Sequence, residues 1–358
     1  MTTSPPNKPL DPYTEQAADW RSALKHNSRR TRLVIATFIL IYICIGLLVD
    51  MYIYAGSYPQ ATLSQLFFAL ITFQLFPKVT LITLLVALVS LFVTFSFHDK
   101  LMLLGTEYRE ITPESAKSTQ ELQLYNVVEE MKVAAGLRFM PKVYLIEADY
   151  MNAFASGYSE KSAMVAITRG LIEKLDRSEL QAVMAHELSH IRHMDIKLTL
   201  MASVLSNLTL IVLDILFYNA IFSGRRSDEE GNGRSRNQLL FIILILRWVL
   251  PLATILLMLY LSRTREYMAD AGCVELTRDN EPLARALLKI QGDYQQNADN
   301  YSAASQATAH ESIRRQAYLY DPLEAGIAST RSLADLFSTH PPIEKRLQAL
   351  GFTMKKGQ

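Results

Sequence analysis

The chain has 358 residues, of which 50% are hydrophobic and 20% charged, and its 36 basic and 35 acidic residues leave a net charge of +1. That balance excludes a disordered chain and argues against nucleic acid as a partner, which favours a strongly basic face. Cys44 and Cys273 are too few for a disulfide framework and suit a reducing compartment.

Residues 1–32 are polar, Pro-rich at the start, and contain Lys8, Arg21, Lys25, Arg29, Arg30 and Arg32. They are expected to form an N-terminal tail with no cleavable apolar signal core. Residues 33–55 carry one charge, Asp50, and residues 79–97 carry none. Each run is long enough to cross about 30 Å of hydrocarbon as a helix, which excludes a purely soluble protein. Residues 56–78 form the external connection; their apolar part, 61–76, is too short to span and reads as interfacial or re-entrant. The positive-inside rule places the N-terminal tail in the cytoplasm, and the second span returns the chain there.

From 98 to 197 the composition turns globular. The pattern predicts an amphipathic helix over 115–135, strand text at 142–147 and 162–168, and a helix that starts at Asp176, whose capping-box partner Glu179 stands three residues on. Two further apolar runs follow, 198–222 and 238–261, each with a single charge, Asp214 and Arg247; the Gly, Ser and charge content of 223–237 between them is that of a flexible loop. In an antiparallel hairpin these two charges lie at matching depth, about 12 to 13 Å from the connecting loop, and are expected to pair. Residues 262–358 are again soluble and helical, with a second flexible stretch near 297–312. The two loops, 223–237 and 297–312, are the expected sites of self-cleavage.

The chemistry sits in His186-Glu187-Leu188-Ser189-His190, the pattern H-E-x-x-H. On a helix the two histidines share one face and can offer two imidazole nitrogens to one ion, while Glu187 reaches the water that ion holds. A catalytic zinc needs a third protein ligand and an open position. His193 is on the same face, but a straight helix cannot wrap three turns around one ion. Asp214 would bury the site in the bilayer, against Arg192 and Lys197 beside the motif. Glu266 in Ser262-Arg263-Thr264-Arg265-Glu266-Tyr267-Met268-Ala269-Asp270 is the best candidate, with Asp270 one turn on to accept the outer N–H of a ligand histidine.

Four segments carry a family resemblance: Asn152-Ala153-Phe154-Ala155, the HELSH motif, Glu266-Tyr267-Met268-Ala269-Asp270, and Thr339-His340-Pro341-Pro342 with Arg346. In this order they resemble the HtpX-type family of membrane-bound zinc metallopeptidases, gluzincin-like enzymes that also resemble the prenyl-protein proteases of the endoplasmic reticulum. The resemblance implies one Zn²⁺ per chain held by His186, His190 and Glu266, with Glu187 as catalytic base. It also implies His340 as a donor to the oxyanion, and Asn152, Ala153, Phe154 and Arg346 at the edge of the substrate cleft.

The expectation is a mainly α membrane protein of about four transmembrane helices with an α+β zincin-like peptidase domain and a small β-sheet at the cleft. It is an endopeptidase of the bacterial-type inner membrane, multi-pass, with its catalytic domain facing the cytoplasm. Its partners are protein substrates, chiefly membrane proteins, and the lipid bilayer, with no nucleic acid and no nucleotide; by family analogy it serves quality control or a stress response. The rival readings are a membrane scaffold with a structural metal site and a protease that cuts within the bilayer.

Overall fold

Strands and helices alternate through the polar part of the chain, and long helices take up the apolar part. The computed structural model describes residues 13–15, 20–103, 107–157, 159–193, 195, 211–215, 217–218, 234–297, 301, 319 and 340–354. Most of the expected run 198–222, most of the loop 223–237 and most of 297–312 lie outside the described residues, and the last four residues of that loop, from Arg234, are helical. The chain divides into two compact units, one formed by Met1–Thr31, Phe97–Lys197 and Leu261–Gln358, the other by Arg32–Ser96 and Leu198–Tyr260.

The second unit draws on α1 (Trp20–Ser57), α2 (Leu63–Ile71), α3 (Lys78–Leu103) and the first part of a long helix that begins at Arg234. The N-terminal tail is helical from Trp20, thirteen residues before the apolar run, because once a helix is nucleated each added residue gains a backbone bond. Helix α2 starts at a full capping box, with Gln65 N–H donating to Thr62 Oγ1 and Thr62 N–H to Gln65 Oε1. At nine residues it is far too short to span. Asp50, the lone charge of α1, is buried and accepts the N–H groups of Val79 and Thr80, both at 2.9 Å, and the Thr80 hydroxyl at 2.6 Å. It thus satisfies donors that the first turn of α3 leaves open, where the helix dipole favours an anion.

The sequence predicts four spans. Among the described residues two helices are long and apolar enough to cross a membrane, Ile39–Ser57 and Phe241–Thr277, and α3 adds the shorter apolar stretch Lys78–Ser90. The fourth apolar run and the polar segment after it form one continuous helix, α7 (Arg234–Thr277), which passes through Pro251. Asp214 and Arg247 meet: Arg247 Nη1 is 3.0 Å from Asp214 Oδ1, and the guanidinium stacks 4.0 Å from the Phe217 ring. Either alanine substitution is expected to destabilise the protein by about 2 to 3 kcal/mol in a bilayer, by leaving one charge without its partner. Asp214→Ala with Arg247→Leu should recover much of the loss, since leucine keeps apolar packing on Phe217. Strictly additive losses in thermal unfolding would contradict the coupling.

The first unit holds the mixed sheet. Its order is β2 (Tyr108–Ile111), β3 (Lys142–Ile146), β5 (Met164–Thr168), β4 (Ala153–Ser156); β3 and β5 are parallel and the outer pairs antiparallel. A separate two-stranded ribbon pairs β1 (Tyr13–Glu15) with β6 (Phe352–Met354). Helices α4 (Thr119–Ala134), α5 (Arg169–Lys174), α6 (Arg177–Arg192), α8 (Glu281–Gln296) and α9 (Ile343–Ala349) complete the unit. Leu124, Val128, Val143, Val165, Val183, Leu188, Leu287 and Ile290 are fully or almost fully buried in its single large core, which draws on α4, β3, β5, α6 and α8. Helix α6 carries the H-E-x-x-H motif through the middle of that core.

Candidate metal centre

Asp176 caps α6 as its sequence predicts: Glu179 N–H donates to Asp176 Oδ1 and Asp176 N–H to Glu179 Oε2, both at 2.9 Å. The helix runs regularly from there to Arg192, where His193 turns the chain with φ −88° and ψ 0°. Regular winding puts His186 and His190 one above the other, with Nε2 atoms 3.2 Å apart. Helix α7 brings Glu266 to the same point, Oε2 at 3.8 Å from His186 Nε2 and Oε1 at 3.6 Å from His190 Nε2. Among the described residues these three form a group able to hold a metal, with one ligand atom from each lying within 4.8 Å of the others. Two nitrogens each about 2.05 Å from a tetrahedral ion stand about 3.3 Å apart, so the donor set fits zinc.

The helices approach this closely because of one small residue on each. A Cβ placed on Gly272 of α7 would lie 2.5 Å from Ser189 Oγ and 2.9 Å from Ser189 Cβ. Ser189 is itself tied down, its hydroxyl donating to the Ala185 carbonyl at 2.8 Å.

Each histidine has a carboxylate on its outer nitrogen, and each carboxylate has an arginine. Asp270 Oδ1 is 3.1 Å from His186 Nδ1, and Asp270 is gripped at both oxygens by Arg346, through Nε at 2.9 Å and Nη2 at 2.6 Å. Asp195 Oδ2 is 2.7 Å from His190 Nδ1, and Asp195 forms a buried ion pair with Arg265. With Nδ1 facing its carboxylate, each ring turns its Nε2 inward. Burial, then the neighbouring His186, holds His190 well below its ordinary value, so it stays neutral, the form that ligates metal.

Glu187 is buried beside the histidines, and its Oε2 has no hydrogen-bond partner among the described residues. The Ala155 N–H of β4 reaches its carboxylate. Burial first, and the charge of Glu266 second, raise its proton affinity well above that of an ordinary carboxylate. A divalent cation in the site acts in the opposite direction. His340 is buried with Nδ1 3.4 Å from Glu266 Oε2, and Arg346 Nη1 is 3.3 Å from the same oxygen.

The remaining sequence-predicted positions divide. Asn152 is buried, with its Nδ2 donating to the Tyr294 hydroxyl at 3.3 Å and its Oδ1 accepting the Ala153 N–H at 3.0 Å. Phe154 packs with Ile146, Met164 and Ala166. The Ala153 carbonyl faces outward from the sheet and accepts the N–H of Leu319 at 2.9 Å. Asp195, Arg265, Gly272, Ser189 and Leu319 are the residues that the sequence reading missed.

The family model described as Peptidase family M48 matches residues 118–353, a range that contains every side chain of this constellation. The chain belongs to peptidase family M48. A protease HtpX homolog of Helicobacter pylori strain Shi470 is 42% identical to this M48 peptidase over 332 residues, 93% of this chain and 98% of its own length. A protease HtpX homolog of Ligilactobacillus salivarius strain UCC118 is 33% identical over 326 residues, 90% of this chain and 96% of its own. The crystal structure of S. mikatae Ste24p matches with a TM-score of 0.50 and 17% identity, covering 94% of this chain and 68% of that one, a likeness of fold. The M48 peptidase is a metalloprotease, a hydrolase of peptide bonds.

Proposed function

We propose that this M48 peptidase is an integral-membrane zinc endopeptidase that cuts membrane or membrane-proximal proteins. His186, His190 and Glu266 would hold one zinc ion per chain, and Glu187 is the general base. The observation that carries this reading is the convergence of the three ligand atoms within 4.8 Å beside a carboxylate with one oxygen unengaged among the described residues. Two imidazoles and one carboxylate match the donor sets of catalytic zinc sites, which keep one position open. When bound, zinc lowers the pKa of water to about 7 and polarises the scissile carbonyl.

The rest of the chemistry belongs to the chain. Glu187 takes the proton of the attacking water at Oε2 and returns it to the leaving amide nitrogen, while the new C–O bond forms at the carbonyl carbon and the C–N bond breaks. The Ala155 N–H favours the ionised form of that carboxylate. His340 is the fixed donor for the carbonyl oxygen as that atom gains charge. The edge of β4 at Asn152, Ala153 and Phe154, together with Arg346, holds the substrate in extended form by main-chain bonds.

His190 stands eight residues before the apolar run 198–222 and Glu266 five residues after 238–261. At most eight residues of chain therefore separate each ligand from an apolar run, which supports substrates that approach at the bilayer surface. The basic residues before the first span support a catalytic domain on the cytoplasmic face of a bacterial-type inner membrane. Resemblance to the HtpX-type family supports a role in membrane-protein quality control. The test is metal removal: in proteoliposomes, chelation should abolish cleavage of a co-reconstituted membrane protein and one equivalent of Zn²⁺ should restore it. Undiminished cleavage by the metal-free protein would overturn the reading.

A further inference from the structure

Asn152 stands at the start of β4, yet its side chain is turned into the protein. Asn152 and Tyr294 of α8 are both 0% exposed, and Asn152 Nδ2 donates to the Tyr294 hydroxyl at 3.3 Å. The ring of Tyr294 belongs to the main core of the unit. The main chain of Asn152 is held as well: its N–H donates to Thr168 Oγ1 at 2.8 Å, and its carbonyl accepts both the N–H and the hydroxyl of Thr168 at 3.0 Å. Thr168 is the last residue of β5, so these bonds pin the start of β4 to the end of its neighbour. Asn152 Oδ1 accepts the Ala153 N–H at 3.0 Å.

In an antiparallel pair, successive residues turn their main-chain groups alternately toward the partner strand and away from it. Asn152 bonds Thr168, so Ala153 and Ala155 turn theirs toward the free edge of β4. An extended substrate adds at that edge, and the Ala155 N–H on it reaches the Glu187 carboxylate. Loss of the Asn152 amide takes an acceptor from the Ala153 N–H and cuts the link to α8, so the strand can move. Good hydrogen bonds occupy a donor–acceptor window only about half an ångström wide, so a small shift of the edge weakens the main-chain bonds a substrate makes there. We propose that Asn152 is a positioning residue: it touches no substrate, and it sets the substrate-binding edge of β4 through Tyr294. The proposal rests on the metalloprotease reading of this site.

A double-mutant cycle in the full-length protein tests it, with unfolded β-casein as the substrate. Tyr294→Phe removes one hydroxyl and keeps the ring in its core site. One hydrogen bond is worth about two- to ten-fold in an equilibrium, so KM should rise by about that factor in Tyr294→Phe and at least as much in Asn152→Ala. In both, kcat per bound zinc should change little. The double variant should match Asn152→Ala, because Tyr294 acts only through that side chain. An unchanged KM in Tyr294→Phe, or rises that multiply in the double variant, would mean that Asn152 meets the substrate itself and would overturn the proposal. A loss confined to kcat or to zinc content would mark a purely structural role and would overturn it too. Amide hydrogen exchange of residues 153–156 gives a readout independent of cleavage, and should speed up about two- to ten-fold in either single variant. Should one of them fail to fold, unchanged exchange in the other overturns the proposal. If the wild-type protein leaves β-casein intact, the metalloprotease reading fails; if it cuts and Tyr294→Phe has the wild-type KM, only the positioning role fails.

Discussion

Glu187→Gln keeps its metal and loses cleavage by 10²–10⁴-fold or more, the contribution typical of a general base. Glutamine has the shape of glutamate and can still accept the Ala155 N–H through its amide oxygen, but it cannot take the proton of the attacking water. His186, His190 and Glu266 are untouched, so zinc content by elemental analysis stays at the wild-type value. Stability supplies a second readout. In the metal-free protein burial and the Glu266 charge disfavour the Glu187 carboxylate, so the neutral amide should leave the apo-protein's Tm unchanged or higher. A variant that loses zinc, or one that still cuts at more than about a tenth of the wild-type rate, would contradict the role given to Glu187.

Gly272→Ala is the second large effect, and it acts from outside the ligand set. Its new methyl group would overlap Ser189 Oγ and Cβ, at 2.5 and 2.9 Å, and Ser189 cannot turn away without breaking its bond to the Ala185 carbonyl. Helix α7 must then shift against α6, and Glu266, six residues earlier on α7, moves relative to the two histidines. Overpacking of this kind costs about 1 to 3 kcal/mol. If most of that falls on the metal geometry, zinc affinity drops about 5- to 100-fold and activity follows at limiting zinc. Two companions make the cause visible. Ser189→Gly in the same protein should restore affinity by removing both clashing atoms. Gly292→Ala on α8, where a Cβ meets nothing within 4 Å, should leave zinc binding alone and stabilise the fold by about 0.5 to 1 kcal/mol. Equal zinc affinity in Gly272→Ala and the wild type, measured by competition with a chromophoric chelator, would show that the contact does not position Glu266.

What was legible in the sequence follows from the range of the interaction that specifies each feature. The cap at Asp176, the stacked histidines of α6 and the one-turn spacing of Glu266 and Asp270 depend on helical period alone, and period is written locally. The Asp214–Arg247 contact was legible from two lone charges at equal depth. Asp195 was not, because a residue five places after His190 points well away from it on a continuing helix; the turn at His193 is what returns Asp195 to the ring. Strand β4 gives no alternation, since all four of its residues are buried, and a strand covered on both faces has no period-two signal. The starts of α1 and α7 lie in polar text that continues a helix once one exists, so composition marks the apolar part and not the ends. Leu319 reaches β4 across 166 residues, and no local pattern encodes such a contact.

In the proposed mechanism His186, His190 and Glu266 are the protein ligands of one catalytic zinc. Zinc-edge X-ray absorption of the full-length Glu187→Gln protein, which should not cut itself, tests this most directly. The expected result is one zinc per chain with two imidazole nitrogens at about 2.0 to 2.1 Å and oxygen in the remaining positions, and loss of the ordered site in Glu266→Ala but not in His193→Ala. A third imidazole in the shell, a sulfur contributed by Cys273, or an unchanged spectrum in Glu266→Ala would contradict it.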